Sequence, residues 1–108
     1  MSPPDRIAAL RAQCGGPRDG ALLRFSLGSA LLDGGDAAAA RAELQRAIEF
    51  DPRYSAAWKA LGKACLALHD HEGAAAAWRQ GIAVATERGD QQAAKEMAVF
   101  LKRLAREG

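Results

Sequence analysis

The chain has 108 residues, which is enough for one domain, and 49% of them are apolar. Alanine supplies 26 residues, whereas leucine, isoleucine, valine and phenylalanine together supply 20, so we expect a thin core whose elements approach closely. The 15 basic and 13 acidic residues are interspersed, which argues against a nucleic-acid-binding surface. No apolar run approaches membrane-spanning length, and residues 1–20 lack the apolar core of a signal peptide. We therefore expect a cytoplasmic protein without a membrane partner.

Alanine has the highest intrinsic helix propensity, and aromatic and β-branched residues are scarce, so the composition predicts an all-α protein. Apolar spacing and helix-breaking residues predict six helices, over residues 5–14, 20–33, 37–50, 53–68, 71–87 and 91–106. The first helix is amphipathic through Ile7, Leu10 and Cys14. The segment Gly15-Gly16-Pro17 separates it from the second helix.

The second and third predicted helices are joined by a short break. Leu23, Leu27 and Leu31 recur at helical spacing in the second helix, which stops at Gly34-Gly35. Asp36 follows at the position of an N-cap residue, whose carboxylate accepts a hydrogen bond from a free backbone N–H group. The third helix is therefore predicted to begin at residue 37.

The start of the fourth helix is predicted from Asp51 and Pro52, as an N-cap carboxylate followed by a proline at the first helical position. Cys65 falls within the apolar stripe of this helix, so a reduced core thiol is expected. Asp70 and Asp90 are the predicted N-caps of the fifth and sixth helices. The inner stripe predicted for the sixth helix consists of Ala94, Met97, Leu101 and Leu104.

Residues 21–54 repeat in residues 55–88 with a step of 34 residues and eight identical positions. The pairs are Leu27/Leu61, Gly28/Gly62, Ala30/Ala64, Leu32/Leu66, Asp36/Asp70, Ala40/Ala74, Ala42/Ala76 and Ile48/Ile82. A fixed period of this length indicates stacked helix pairs that bury their apolar faces against neighbours. We predict a short α-solenoid of antiparallel helix pairs. Its parts are an N-terminal half-repeat over 1–19, full repeats over 20–53 and 54–88, and a capping helix over 89–108.

These residues resemble the tetratricopeptide repeat, and the resemblance covers residues 21–88. The matching residues, which the resemblance places in the core of the repeats, are Leu27, Gly28, Ala40, Leu44, Pro52, Trp58, Leu61, Gly62, Ala74 and Trp78. Three positions depart from the family pattern. Arg24 stands where tryptophan is typical, Gly81 replaces alanine, and Thr86 replaces the terminal proline.

The resemblance implies a non-catalytic protein-interaction module that binds a peptide segment of a partner protein in a concave groove. In this family the first helix of every repeat lines that groove. The corresponding residues here are Leu22, Phe25, Ser29, Leu32, Asp33, Ala56, Lys59, Lys63, Leu66 and Ala67. Phe25 lies off the stripe that faces the core, so it is either an exposed anchor for a ligand side chain or covered by the first helix.

Lys59 and Lys63 lie one helical turn apart, and two like charges at this spacing repel each other by about 0.2–0.5 kcal/mol. A carboxylate of a partner would offset that repulsion, so an acidic segment is the expected ligand. The pair resembles half of the carboxylate clamp found in some family members. Phe25 and Ser29 stand where that clamp has lysine and asparagine. The alternative is that both lysines are merely solvated.

A metal site or an active site has little support in the sequence. His69 and His71 are two residues apart, whereas helical metal ligands lie three or four apart. Asp70 between them is explained as an N-cap, and Glu72 suits the positive end of the helix dipole. No glycine-rich phosphate loop and no nucleophile with a nearby histidine occur. We expect no cofactor, no metal and no enzymatic activity, and a metal-binding enzyme that uses the His69–Glu72 turn is the remote alternative.

Self-association is the alternative to partner binding. A short array has a thin core and two ends, and a homodimer docked through residues 90–106 would bury Phe100.

Overall fold

A computed structural model describes residues 2–107. Its six helices are α1 (Pro3–Gln13), α2 (Ala21–Asp33), α3 (Ala37–Phe50), α4 (Ser55–Ala67), α5 (His71–Glu87) and α6 (Gln91–Glu107). No strand occurs in this part of the chain. The helices form a body of 39 × 28 × 21 Å. The predicted all-α helical-repeat fold is confirmed.

Three helices begin at the predicted aspartates. The carboxylates of Asp36, Asp70 and Asp90 accept hydrogen bonds at 3.1, 2.9 and 3.1 Å from the backbone N–H group three residues further on. Each bond satisfies one of the N–H groups that a helix start leaves without a partner. In the turns before Asp36 and Asp70, Gly35 and His69 both adopt left-handed backbone conformations, with φ angles of 88° and 61°. The two repeats therefore use the same turn, in one case with a histidine at a position that favours glycine.

The predicted start of the fourth helix is wrong. α4 begins at Ser55, and Pro52 lies exposed in the preceding turn rather than in the first helical turn or in the core. Asp51 caps this turn instead of the helix, because its carboxylate accepts a hydrogen bond from the Arg53 N–H group at 3.0 Å. Pro52 contributes through its carbonyl oxygen, which accepts a hydrogen bond of 2.8 Å from the indole of the half-buried Trp58.

The helices stack in the order of the chain. Each helix packs against the next, and among the described residues the other close approaches join α2 to α4 and α4 to α6. α3 and α5 do not meet in this way. In a curved solenoid, the helices of alternate positions lie closer together on the inner side than on the outer side. α2, α4 and α6 therefore form the inner, concave side.

Small residues let the paired helices approach. A Cβ atom at Gly28 would lie 2.7 Å from Cγ of Leu44, and one at Gly62 would overlap the indole of Trp78. The indole is 2% exposed, and its N–H group donates a hydrogen bond of 3.1 Å to the carbonyl of Lys59. Gly81 similarly faces Met97 of α6. The glycine at this departure from the family pattern thus leaves room for the last helix.

The core is continuous from α2 to α6. Its buried side chains include Leu27, Leu44, Trp78 and Met97, all of which are at most 2% exposed. Cys65 is buried among them as predicted, and this burial raises the pKa of its thiol. Because the thiolate is the reactive form, Cys65 is disfavoured as a nucleophile.

Arg24 stands where the repeat pattern has a tryptophan, and its ion pairs connect three segments of the chain. Its guanidinium lies 2.8 Å from Asp19 in the loop before α2 and 3.0 Å from Glu43 on α3. The side chains of Arg24 and Asp19 are only 13% and 11% exposed. The hydrogen bond from Arg24, assisted by the N–H group of Gly15, holds the pKa of Asp19 well below its usual range. The same bond raises the pKa of Arg24.

The packing around Gly62 and Gly28 predicts that an alanine destabilises the protein more at Gly62 than at Gly28. Gly62→Ala should lower the free energy of unfolding by about 1–3 kcal/mol, because its Cβ would overlap the buried indole of Trp78. Gly28→Ala should cost less than Gly62→Ala, because its Cβ would overlap Leu44 less closely and alanine has the higher helix propensity. Urea unfolding of the two variants beside the wild type measures the difference. Equal losses would show that Trp78 yields as readily as Leu44.

The Asp19–Arg24 contact predicts a pH-dependent loss of stability. The folded pKa of Asp19 is depressed, so its contribution is present above the unfolded pKa of about 3.9 and disappears as the pH falls towards the folded value. Asp19→Asn should lower the thermal midpoint at pH 7, and the gap to the wild type should narrow below about pH 4. Asp33→Asn is the control, because Asp33 is exposed and in no ion pair within residues 2–107. A gap that stays constant down to pH 2 would contradict the assignment.

Candidate functional site

A cavity of about 260 Å³ lies between α2 and α4 on the concave side. Its lining consists of Phe25, Ser29, Leu32, Asp33, Ala56, Lys59, Ala60 and Lys63. All of these except Ala60 belong to the groove positions implied by the sequence resemblance. The structure thus brings together side chains from two repeats in one amphipathic depression, which we call the α2–α4 cavity.

Three of the implied groove residues lie outside this cavity. Leu22 is 68% exposed and does not line it. Ala67 is exposed at the end of α4. Leu66 lines a separate cavity between α4 and α6, described below.

Phe25 is half-buried, and its ring packs on that of Tyr54, with the ring centroids 5.0 Å apart and the planes tilted by 34°. Tyr54 is the N-cap residue of α4, and its partial burial raises the pKa of its phenol. The ring that covers part of Phe25 therefore comes from the turn between the repeats. The remaining surface of Phe25 faces the α2–α4 cavity.

Lys59 and Lys63 have different environments, and residues of α6 contribute to each environment. The ammonium of Lys59 forms an ion pair of 3.0 Å with Glu96. The ammonium of Lys63 lies 5.4 Å from the ring centroid of Phe100. Within residues 2–107, Lys63 has no carboxylate partner. The last helix therefore pairs Lys59 and leaves Lys63 exposed.

A second cavity, of about 290 Å³, lies between α4 and α6. Its lining consists of Lys63, Leu66, Trp78, Phe100, Arg103, Leu104 and Glu107. We call it the α4–α6 cavity. Lys63 also lines the α2–α4 cavity, so the two depressions adjoin at this residue.

Sequence reasoning missed the contribution of α6 to the concave side. The repeat step of 34 residues does not reach this helix, because α5 has 17 residues whereas its counterpart α3 has 14. α6 therefore begins at Gln91, although a step of 34 from Ser55 leads to Gly89. The helical spacing of Glu96, Phe100, Arg103 and Glu107 was the available signal.

No group of three or more potential metal ligands comes together in residues 2–107. Around the His69–Glu72 turn, Asp70 is occupied as an N-cap and lies 3.7 Å from Arg41. His69 and His71 are exposed. In the part of the chain that the structure describes, no helix has the length and apolar character needed to cross a membrane.

Comparisons with known proteins identify the repeat. A family model described as tetratricopeptide repeat matches residues 7–54 and 25–94. The chain is 58% identical over 88 residues to TPR repeat-containing protein PA0015 of Pseudomonas aeruginosa, and the match covers 82% of this chain and 84% of that protein.

Solved structures agree. The solution structure of protein BPP2914 from Bordetella parapertussis superposes with a TM-score of 0.82 at 46% identity, covering 99% of this chain and 90% of that one. A crystal structure of the MamA protein superposes with a TM-score of 0.75 at 25% identity, covering 96% of this chain and 59% of that one.

The family model extends from residue 7 to residue 94 in two overlapping matches, and the Pseudomonas relative shares most of its length with this chain. The resemblance seen in residues 21–88 is therefore confirmed. The chain belongs to the tetratricopeptide repeat family, whose fold is generally a module for protein–protein interaction and is generally non-catalytic.

Proposed function

We propose that this protein binds an acidic peptide segment of a partner protein in the groove on its concave side. The observation that carries the proposal is the α2–α4 cavity. It combines the apolar surfaces of Phe25 and Leu32 with the ammonium groups of Lys59 and Lys63. Apolar area supplies affinity in such a depression, and a few polar groups fix the orientation of the ligand.

The charge in the groove is unevenly available to a ligand. Lys63 is exposed and has no carboxylate partner in the described chain, so it attracts an acidic group at no cost to an existing ion pair. Lys59 has a side chain that is 26% exposed, and it shares its charge with Glu96. A ligand carboxylate that approaches Lys59 meets the like charge of Glu96 at close range. Lys63 is therefore the main electrostatic contact of the proposed groove.

Self-association through residues 90–106 stays the alternative function, although Phe100 packs partly within its own chain. Its ring lies 5.2 Å from that of Trp78 and is half-buried. Sedimentation over a wide concentration range measures the oligomeric state directly, and partner binding remains the function that we propose.

The groove proposal predicts a loss of binding when Lys63 is neutralised. Lys63→Gln should weaken binding of a blocked peptide composed of glutamate, leucine and serine by about three- to fivefold at low salt. The difference should shrink at high ionic strength, because exposed charges are screened. Fluorescence anisotropy of the labelled peptide measures both effects. An unchanged affinity at low salt would place the interface on another face.

Neutralising Glu96 should have the opposite effect. Glu96→Gln removes the carboxylate that shares the charge of Lys59, so the same peptide should bind about two- to fourfold more tightly. Glu87→Gln is the matched control, because it changes the net charge equally at an exposed position on α5 in no ion pair of the described residues. If both variants bind more tightly by the same factor, the effect comes from net charge and not from Lys59.

A further inference from the structure

The two concave cavities share a single side chain. Lys63 lines both the α2–α4 cavity of about 260 Å³ and the α4–α6 cavity of about 290 Å³. α4 contacts both α2 and α6, so the two depressions lie in series across the concave side. A ligand segment that crosses α4 passes Lys63 between one cavity and the next.

We propose that the two cavities form one two-pocket site for an extended segment with an apolar side chain on each side of an acidic residue. The carboxylate pairs with Lys63, and each apolar side chain enters one cavity. This inference rests on the proposed function, because it specifies the pattern of the acidic segment that the groove binds.

The α4–α6 cavity has the surface that an apolar side chain needs. Leu66, Trp78, Phe100 and Leu104 supply its apolar lining, and the rings of Trp78 and Phe100 pack against each other at 5.2 Å with a tilt of 48°. Trp78 is held by its hydrogen bond to the Lys59 carbonyl, so this wall is preformed. A rigid wall of aromatic and aliphatic groups binds an apolar side chain without first losing side-chain entropy of its own.

The charges around the α4–α6 cavity favour an acidic neighbour for that side chain. Lys63 and Arg103 line the cavity together with one carboxylate, that of Glu107. The ammonium of Lys63 rests over the ring of Phe100 at 5.4 Å from its centroid. An exposed cation–π contact is weak, so a carboxylate of the ligand can draw the ammonium away from the ring.

The α2–α4 cavity contains a carboxylate of its own, which limits where the acidic group of the ligand can bind. Phe25 and Leu32 supply its largest apolar side chains, and Asp33 adds a carboxylate to the lining. A second acidic group beside Asp33 would be repelled. The carboxylate of the segment is therefore best placed at Lys63, where the two cavities meet.

Methyl resonances of the intact protein report each cavity separately. The probes are three blocked peptides: one with a leucine on each side of a central glutamate, one with the leucine on one side replaced by serine, and one with the glutamate replaced by glutamine. We expect the two-leucine peptide to shift the methyl resonances of Leu32, Leu66 and Leu104. We expect the single-leucine peptide to shift those of one cavity only, and the glutamine peptide to bind several-fold more weakly.

A matched pair of truncations tests the second pocket. Leu66→Ala should weaken the two-leucine peptide by about fivefold and the single-leucine peptide by less than about twofold when the latter occupies the α2–α4 cavity. Leu101→Ala is the control, because Leu101 is also half-buried but lines a depression between α5 and α6 and not the α4–α6 cavity. It should leave both affinities unchanged.

The outcomes separate the inference from the proposed function. Shifts at Leu32 without shifts at Leu66 and Leu104 overturn the two-pocket site and leave acidic-peptide binding in place. Equal weakening of both peptides by Leu66→Ala also overturns it when the methyl shifts place the single-leucine peptide in the α2–α4 cavity. If no methyl group of either cavity responds to any peptide, the proposed function fails and the two-pocket site fails with it. The shifts are measured on the wild-type chain, so the decision stands even where a variant does not fold.

Discussion

The contact between the indole of Trp78 and the backbone of Gly62 is the constraint on which the concave side depends. The absence of a Cβ atom at Gly62 lets α5 lie against α4, and the indole N–H group then reaches the Lys59 carbonyl at 3.1 Å. This hydrogen bond satisfies the buried polar group of the tryptophan and fixes its ring. Phe100 packs on that ring, and the last helix is thereby docked beside α4.

Docking of α6 has an electrostatic consequence as well as a packing one. It brings the carboxylate of Glu96 to the ammonium of Lys59 and the ring of Phe100 to the ammonium of Lys63. The two neighbouring lysines of α4 therefore have different contacts. Lys59 joins α4 to α6 through its ion pair, and Lys63 remains exposed. A capping helix that shields the apolar end of the array also determines the charge that its groove presents.

At the other end of the array, the departure from the family pattern at Arg24 has a structural explanation. An arginine at this position cannot extend the apolar core, but with Asp19 and Glu43 it joins the loop after α1 to α2 and α3. Arginine suits this role because its planar guanidinium can serve two carboxylates at once. Arg24 and Trp58 occupy equivalent positions of the two repeats. The first repeat is stabilised there by ion pairs, and the second by the hydrogen bond from Trp58 to the Pro52 carbonyl.

The sequence by itself determined the helical class, the repeat and most helix ends, because aspartate caps, glycine stops and apolar periodicity act over a few residues. Its resemblance to the tetratricopeptide repeat also implied seven of the eight residues that line the α2–α4 cavity. Only the tertiary structure decided that Pro52 lies outside α4, that Lys59 is paired, and that Phe100 faces Lys63. The pairing of Lys59 and the contact between Phe100 and Lys63 depend on where α6 packs. α5 is longer than its counterpart α3, so α6 begins outside the repeat step. The position of α6 decides contacts between residues far apart in the chain, such as Lys59 and Glu96, which are 37 residues apart. The local spacing of apolar and capping residues does not reveal such contacts.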